Sequence, residues 1–447
     1  MSTTDLYNNL IVSKNDLIRD FQKGCKKRND FKIGIEYERL LVNKKTLRAV
    51  SYYGEEGLYR LLRQIAFKYE WNYLTDFSQV TGLKKGSDTI TLEPGGQFEI
   101  SLSPKKTIQE IEKEINRLDK KIMSVAKNLN ILFLNYAISP LSNYSEIPLI
   151  PKKRYILMSK MLPGDLLSSM MKETASIQVS MDYESEEDAM KKLRLSLKLS
   201  PVLSAMFANS PVYNAKDSGY KSYRALCWLF TDNKRCGLID KALFDNNREF
   251  SFNDYATILL NVPLLYIVRG NQVIEINNKI DFLTFIKEGY ENYAATIEDF
   301  KLHANLYFPE ARLNNYIEIR NHDCQKGAMK YAIPAVYKGL FYNSDSMAET
   351  MNLFSSFSYE DFSYARECVP KMALFSRFGK YKILDIAKEI LKISYNYLNK
   401  EGKGEQKYLE PLIELISEGL CPADLILRNW YGKYSLCISK LILDTIE

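Results

Sequence analysis

An α+β fold built on an antiparallel sheet is what this sequence predicts, on two observations. Four short runs alternate apolar and polar residues with a period of two, as strands with one buried face do. Between and after them stand apolar residues at helical spacing, without the regular strand–helix alternation of a parallel α/β protein.

The elements follow in order. A helix from about Lys14 to Lys23 comes first, with Gly24 as its stop. In the strand that follows, Ile33, Ile35 and Tyr37 face a core while Glu36 and Glu38 share the other face, about 7 Å apart along the strand. A second helix covers about Glu56 to Tyr69. Gln97, Glu99 and Ser101 then stand opposite Phe98 and Ile100 on another strand. From Ile108 to Leu129 the residues Ile111, Ile115, Leu118, Ile122 and Val125 form one helical stripe. Ser139 to Lys153, rich in Pro, Ser and Asn, reads as a loop.

Ser176, Gln178, Ser180 and Asp182 alternate with Ile177, Val179 and Met181 on a third strand, and a helix from Glu186 to Leu199 follows. In the fourth run Glu318 and Arg320 alternate with Ile317 and Ile319. From about Ser346 the pattern is wholly helical. Ile383, Ile386, Ala387, Ile390, Leu391 and Ser394 form one stripe, Tyr408 to Ile416 another, and Gly402 and Gly404 mark the turn between them. No internal repeat or linker divides the chain. Residues 1–447 are therefore read as one domain with a mostly helical C-terminal part from about 346.

Composition narrows the function. A chain of 447 residues with 46% hydrophobic and 26% charged residues has the profile of a soluble globular protein. The net charge of +6 is small and widely spread, which speaks against nucleic-acid binding. Met1-Ser2-Thr3-Thr4-Asp5 lacks the features of a secretory signal, and the apolar run from Ala256 to Val268 is broken by Asn261 and Pro263. No membrane association is expected. Seven cysteines without a C-x-x-C pair fit reduced thiols in the cytoplasm, and Cys227 and Cys236 are read as free. Two histidines, His303 and His322, leave little scope for serine-type triads or zinc sites.

The polar strand faces carry the chemistry. Solvent-facing strands usually mix Lys, Thr and Ser, whereas these carry Glu and Gln with one Arg. Aligned carboxylates repel unless a cation or proton screens them. Oxygen donors without His or Cys suit Mg²⁺, with Mn²⁺ as the alternative. There is neither a G-x-x-x-x-G-K-[ST] loop nor a G-x-G-x-x-G motif. Gly95-Gly96 reads as a turn or bulge that lets Glu93 and Glu99 reach one cavity. A nucleotide would then be held through metal ions, as Mg²⁺ bridges carboxylates to phosphates. Arg320 would either stabilise charge on a transferring phosphoryl group or pair with a strand carboxylate.

A run of ordered segments carries a resemblance that extends nearly end to end: Gly34 to Glu38; Ser87 to Ser101 with Glu93-Pro94-Gly95-Gly96-Gln97-Phe98-Glu99; Arg154 to Met158; Gln178 to Asp182; Phe207 to Pro211. It continues through Arg224, Trp228, Thr231-Asp232, Arg235, Gly237, Phe308 to Arg312, Tyr316 to Arg320 and Tyr408 to Leu412. With these the chain resembles the glutamate–cysteine ligases of the plant and proteobacterial type, among the glutamine-synthetase-like carboxylate–amine ligases.

The resemblance implies a curved antiparallel sheet forming a funnel closed by helices. It implies that ATP phosphorylates the γ-carboxylate of glutamate and that an amine, cysteine, then attacks the acyl phosphate, the first step of glutathione synthesis. Glu36, Glu38, Glu93, Glu99, Gln178 and Glu318 would hold magnesium, with Arg320, Glu38 and Glu93 as the catalytic set. Arg224 would bind the α-carboxylate of glutamate with Trp228 nearby, Arg154 and Tyr155 would line the acceptor side, and Arg235 is counted with the substrate-binding residues. The partners expected are these small molecules alone, for a monomer or homodimer.

The sequence departs from the family in three places. Asn321-His322-Asp323 stands where Gly-Ala-Asp is usual, Ile258-Leu259-Leu260-Asn261 where Tyr-Ala-Leu-Asp is, and Leu265 where an aromatic is common. The resemblance puts these on the acceptor side, with Tyr255 or Tyr266 as candidates for the missing ring. The rival readings are the same ligase with another amine acceptor, a non-catalytic nucleotide-binding descendant, and a phosphotransferase that stops at the phosphorylated intermediate.

Overall fold

The computed structural model describes residues 14–76, 78–270, 272–276 and 280–446, so the expectation for Met1 to Asp5 lies outside the described residues. The chain forms two compact units. One takes residues up to 31, 181–197 and 232–319; the other takes 32–180, 198–231 and 320 onward. Because the chain alternates between them, no linker in the sequence marks either.

The larger unit is organised by strand β1, Ile33–Asn43. Its first half pairs antiparallel with β5, Phe98–Ser101, and its second half with β6, Ile131–Leu134. Beyond β5 lie β4 (Asp88–Leu92), β3 (Gln79–Lys85) and the edge strand β2 (Asn72–Asp76). On the other side of β1 comes β7, Ser176–Met181, and then the 320–323 end of the Ile317–Asp323 strand.

The period-two pattern is obeyed. Ile33, Ile35, Tyr37, Phe98, Ile100, Ile177 and Val179 are buried, while Glu36, Glu38 and Glu99 remain half-buried on the opposite face. Arg39 is a polar member of the buried face. Its guanidinium lies over the Tyr37 and Phe133 rings and meets Asp119 of the Ile108–Ala126 helix at 2.6 Å. That helix starts where Thr107 and Glu110 form a reciprocal cap, and it buries its Ile and Leu stripe.

The helix Met329–Phe341 is buried on all sides, as its apolar sequence dictates. Its Lys338 pairs with Glu405 at 2.6 Å, and Glu405 also accepts the Ile108 backbone N–H at 2.7 Å. The C-terminal part is helical from Ser344, interrupted only by the short hairpin of Arg377–Phe378 with Tyr381–Lys382. The helix beginning at Glu186 runs to Met206 rather than ending near Leu199. Pro201 sits inside it, and burial of Val202, Leu203, Ala205 and Met206 outweighs the lost hydrogen bond.

The smaller unit is an aromatic core with short helices. Phe21 of Lys14–Gln22 meets Phe252 and Tyr255 of Phe252–Leu260 and Phe300 of Ile297–Asn305, with ring centroids 5.6–6.4 Å apart. The apolar run from Ala256 breaks at Asn261, as expected, and continues as the Tyr266–Arg269 strand. No helix among the described residues is long and apolar enough to cross a membrane. All seven cysteines are free thiols.

Candidate active site

The register of the central strands builds a concentration of negative charge. Glu38 on β1 stands directly opposite Glu99 on β5, and Glu36 opposite Ser101. Like charges in such cross-strand positions are destabilising unless something compensates them. Protein donors do part of this. Glu38 accepts the Ser176 backbone N–H at 2.7 Å and the Gln178 amide at 2.9 Å. Glu99 accepts the Thr91 hydroxyl at 2.6 Å and the Ser101 hydroxyl at 3.3 Å.

The compensation is incomplete. Burial, then repulsion from Glu36, Glu93 and Glu38, holds the Glu99 carboxyl well above the usual carboxylate range. Burial and the Glu93 carboxylate raise Glu38 too, against the pull of Arg224 and the Ser176 hydrogen bonds.

Glu93 reaches this array from the turn after β4. Its backbone N–H bonds to the Gln97 carbonyl at 2.9 Å, and the Gly96 N–H returns to the Glu93 carbonyl at 2.7 Å. Gly96 adopts φ +85°, and a Cβ on Gly95 would overlap the backbone of Lys172. Both glycines are thus required by geometry, which makes the turn reading of Gly95-Gly96 correct. Gln97 is not on the polar face with Glu99. It is buried, and its amide braces the turn by donating to the Met171 and Thr174 carbonyls at 3.0 and 2.9 Å.

The helix Lys153–Met161 brings cations to the edge of the array. Tyr155 donates its hydroxyl to Glu93 at 2.9 Å, and Lys152 donates to that same hydroxyl oxygen at 3.2 Å. Burial and the Glu93 charge hold the Tyr155 phenol well above its usual range, so it stays a donor. The Arg154 guanidinium stands 5.5 Å from the Tyr155 ring centre, and its buried Nε has no hydrogen-bond partner. An arginine in that condition is ready for an anionic ligand.

Arg224 approaches from the Tyr223–Leu229 helix, whose N-terminus is capped by Ser222. It is buried, donates to the Arg320 carbonyl at 2.9 Å, and lies 3.8 Å from Asp323. Asp323 is a hub: it accepts the Asn209 N–H at 2.8 Å, the Ser210 hydroxyl at 2.7 Å and the Ser222 hydroxyl at 2.9 Å. Arg224 is therefore fixed in place, with Trp228 one turn on and its ring 6.0 Å from the guanidinium. Arg320 donates to the Gln178 oxygen at 2.7 Å. Glu38, Gln178 and Arg320 form one chain of hydrogen bonds, in which the Gln178 amide links Arg320 to the strand carboxylate.

Two expected site residues belong to the smaller unit. Glu318 stands opposite Arg312 in a tight hairpin and is engaged by both its Nε and its Nη2. Arg235 is buried; it pairs with Asp232 at 3.2 Å and donates to the Leu306 and Pro263 carbonyls. Its donors serve the fold of this unit. Tyr255 and Tyr266 are core residues, the Tyr255 hydroxyl accepting the Leu313 N–H at 3.0 Å.

The array fits divalent cations in kind. Its donors are hard oxygens, half-buried and repelling one another. Among the described residues, no three carboxylate, imidazole or thiolate groups converge on one point. Mg²⁺ commonly takes one or two protein carboxylates and completes its shell with water and substrate phosphate. Sequence reasoning missed Lys152, the last residue but one of the loop read from Ser139 to Lys153; its signal was the basic run Lys152-Lys153-Arg154.

A half-buried acidic sheet face bordered by arginines has the charge pattern of a site for anionic substrates. Comparison with known proteins makes this particular. The family model described as glutamate-cysteine ligase family 2 (GCS2) matches residues 32–437, and the chain belongs to that family. It is 32% identical over 439 residues to the chloroplastic glutamate–cysteine ligase B of Oryza sativa subsp. japonica, covering 97% of this chain and 87% of the relative. To the chloroplastic glutamate–cysteine ligase of Arabidopsis thaliana it is 31% identical, covering 96% and 82%. In fold it is similar to the glutamate–cysteine ligase of Francisella tularensis solved with AMP, at a TM-score of 0.57 and 14% identity, covering 93% of this chain and 89% of that one.

Proposed function

We propose that this chain joins the γ-carboxylate of L-glutamate to the amine of L-cysteine at the expense of ATP, through γ-glutamyl phosphate, and so makes the first intermediate of glutathione synthesis. The observation that carries this reading is the carboxylate array of Glu36, Glu38, Glu93 and Glu99, with fixed cations at its border, in a chain of this family. Glu36, Glu38, Glu93 and Glu99 would hold Mg²⁺, which supplies charge neutralisation for phosphoryl transfer when bound.

The chain's own groups then have distinct tasks. Arg224, immobilised by Asp323 and the Arg320 carbonyl, binds the α-carboxylate of glutamate and so sets the reach of its γ-carboxylate. Arg320, oriented by Gln178, faces the phosphoryl group in flight and stabilises its charge. Tyr155 and Arg154 receive the acceptor amino acid, Arg154 through its unused Nε donor. Arg235 is given no task in this set: two of its nitrogens serve the Leu306 and Pro263 carbonyls and it pairs with Asp232.

The test is amine-dependent release of ADP over a panel of amino acids, with the mass of each product measured. Cysteine should be the best acceptor and 2-aminobutyrate a measurable one, since a thiol and a methyl group of similar size are poorly separated by an apolar pocket. Another amine outrunning cysteine at equal concentration would refute the cysteine assignment and leave the ligase. ADP release without amide product would refute the ligase.

A further inference from the structure

The carboxylate array has a cation of its own, and nothing in the ligase reading employs it. Lys152 is half-buried, and Ile150, two residues before it, is stitched to the Glu93 turn through its N–H to the Pro94 carbonyl at 3.0 Å. The Lys152 ammonium is 4.6 Å from the centre of the Tyr155 ring and donates to the Tyr155 hydroxyl oxygen at 3.2 Å. That hydroxyl in turn donates to Glu93 Oε1 at 2.9 Å. An ammonium has no lone pair to accept with, so the tyrosine proton points away from Lys152, and Glu93 at 2.9 Å is a closer, charged acceptor than the Leu92 carbonyl at 3.5 Å. Glu93 is thereby held by one oxygen with the other left for a ligand. Burial weakens the hold of Lys152 on its proton, while the charges of Glu93 and Glu99 strengthen it.

We propose that Lys152 is a positioning residue and the resident counter-charge of the array: through Tyr155 it orients Glu93, and its charge moderates how tightly the array binds divalent cations. This rests on the metal-dependent ligase reading above. Moderation is useful chemically, since ions bound too tightly to the protein would hold the nucleotide product in place after each turnover.

The two parts of the proposal separate by variant. Lys152→Met removes the charge, Lys152→Arg keeps it, and Tyr155→Phe keeps the charge but cuts the relay. Mn²⁺ binding to the full chain without nucleotide, followed by calorimetry, is the readout, with circular dichroism to establish that each variant is folded. Lys152→Met should bind Mn²⁺ about tenfold more tightly, because a unit positive charge no longer repels a dication nearby. Lys152→Arg should bind as the parent does. Tyr155→Phe should also bind within about twofold of the parent, yet lose turnover. Unchanged or weaker Mn²⁺ binding by a folded Lys152→Met chain would overturn the proposal while the parent's ligase activity stands. A parent that binds no Mn²⁺ and forms no amide would overturn both, and the two results are told apart by the parent alone.

Discussion

Glu38→Gln removes one negative charge from the array at constant side-chain size, and its effects can be worked out group by group. In the parent, one Glu38 oxygen accepts the Ser176 N–H and the other the Gln178 amide. A glutamine at 38 has a single oxygen. If that oxygen stays on Ser176, two amide NH₂ groups face each other. Turning Gln178 over would bring its NH₂ against Arg320, which now donates to the Gln178 oxygen at 2.7 Å. Either way one hydrogen bond is lost, a cost of about 1 kcal/mol.

Against this stands the relief of charge. Glu38 and Glu99 are held above the usual carboxylate range by burial and by neighbouring carboxylates. The folded protein thus binds these protons more tightly than the unfolded chain does. The associated stability is complete below the ordinary carboxylate range and is lost as pH rises through the raised values. Each pKa unit of elevation removed returns about 1.4 kcal/mol at high pH. Without divalent cations, then, the variant should be slightly less stable than the parent near pH 4. It should equal or exceed the parent near pH 8, while ligation nearly vanishes. Thermal melts in chelator across that range, compared between the two proteins, measure the effect. A gap that widens against the variant as pH rises would refute the charge argument, and near-normal turnover at low Mg²⁺ would remove Glu38 from the metal set.

Arg224→Ala should weaken glutamate binding by about 2–5 kcal/mol, as truncated buried charge pairs do, with far less effect on ATP; unchanged apparent affinity for glutamate would make Arg224 purely structural. Gly95→Ala must displace either the Glu93 turn or the backbone at Lys172, so it should cost about 1–3 kcal/mol of stability along with activity; a melting temperature equal to the parent's would show the turn to be pliant. His303 and His322 are both pushed down to about 3 by burial, so they should stay neutral. They would favour the folded state above their ordinary range near 6.5 and lose that contribution on acidification, and imidazole resonances that titrate between pH 5 and 8 in the native protein would contradict it.

What the sequence disclosed follows from which patterns are local. Period-two alternation placed Glu36, Glu38 and Glu99 on one face because that face depends only on the pleat. It erred at Gln97, which precedes the strand and obeys a turn whose bracing carbonyls, at Met171 and Thr174, are remote in sequence. The helix after Glu186 runs past Leu199 although Pro201 is a local breaker, because the burial that overrides it is not local. Lys152, Asp323 as the support of Arg224, and Arg312 as the partner of Glu318 share one cause: each acts through a contact that only the tertiary fold creates.

The departures from the family pattern divide in the same way, and that bears on acceptor choice. His322 is fully buried, its ring nitrogens 3.2 Å from the Ile177 carbonyl oxygen and 2.8 Å from the Tyr337 hydroxyl. Asn321 donates to the Ser200 carbonyl and the Ser204 hydroxyl at 2.9 and 2.8 Å. Both are buried and held by contacts inside the protein, so replacing Gly-Ala by Asn-His is a change of core. Leu265 is buried as well, which leaves Ile258, half-buried on its helix, and the exposed Asn261 as the departed positions whose side chains are not enclosed. Selectivity for cysteine over apolar analogues therefore turns on few groups. If it is relaxed, Ile258→Tyr is the substitution that should sharpen it, and an unchanged preference for cysteine over 2-aminobutyrate in that variant would remove position 258 from the acceptor side.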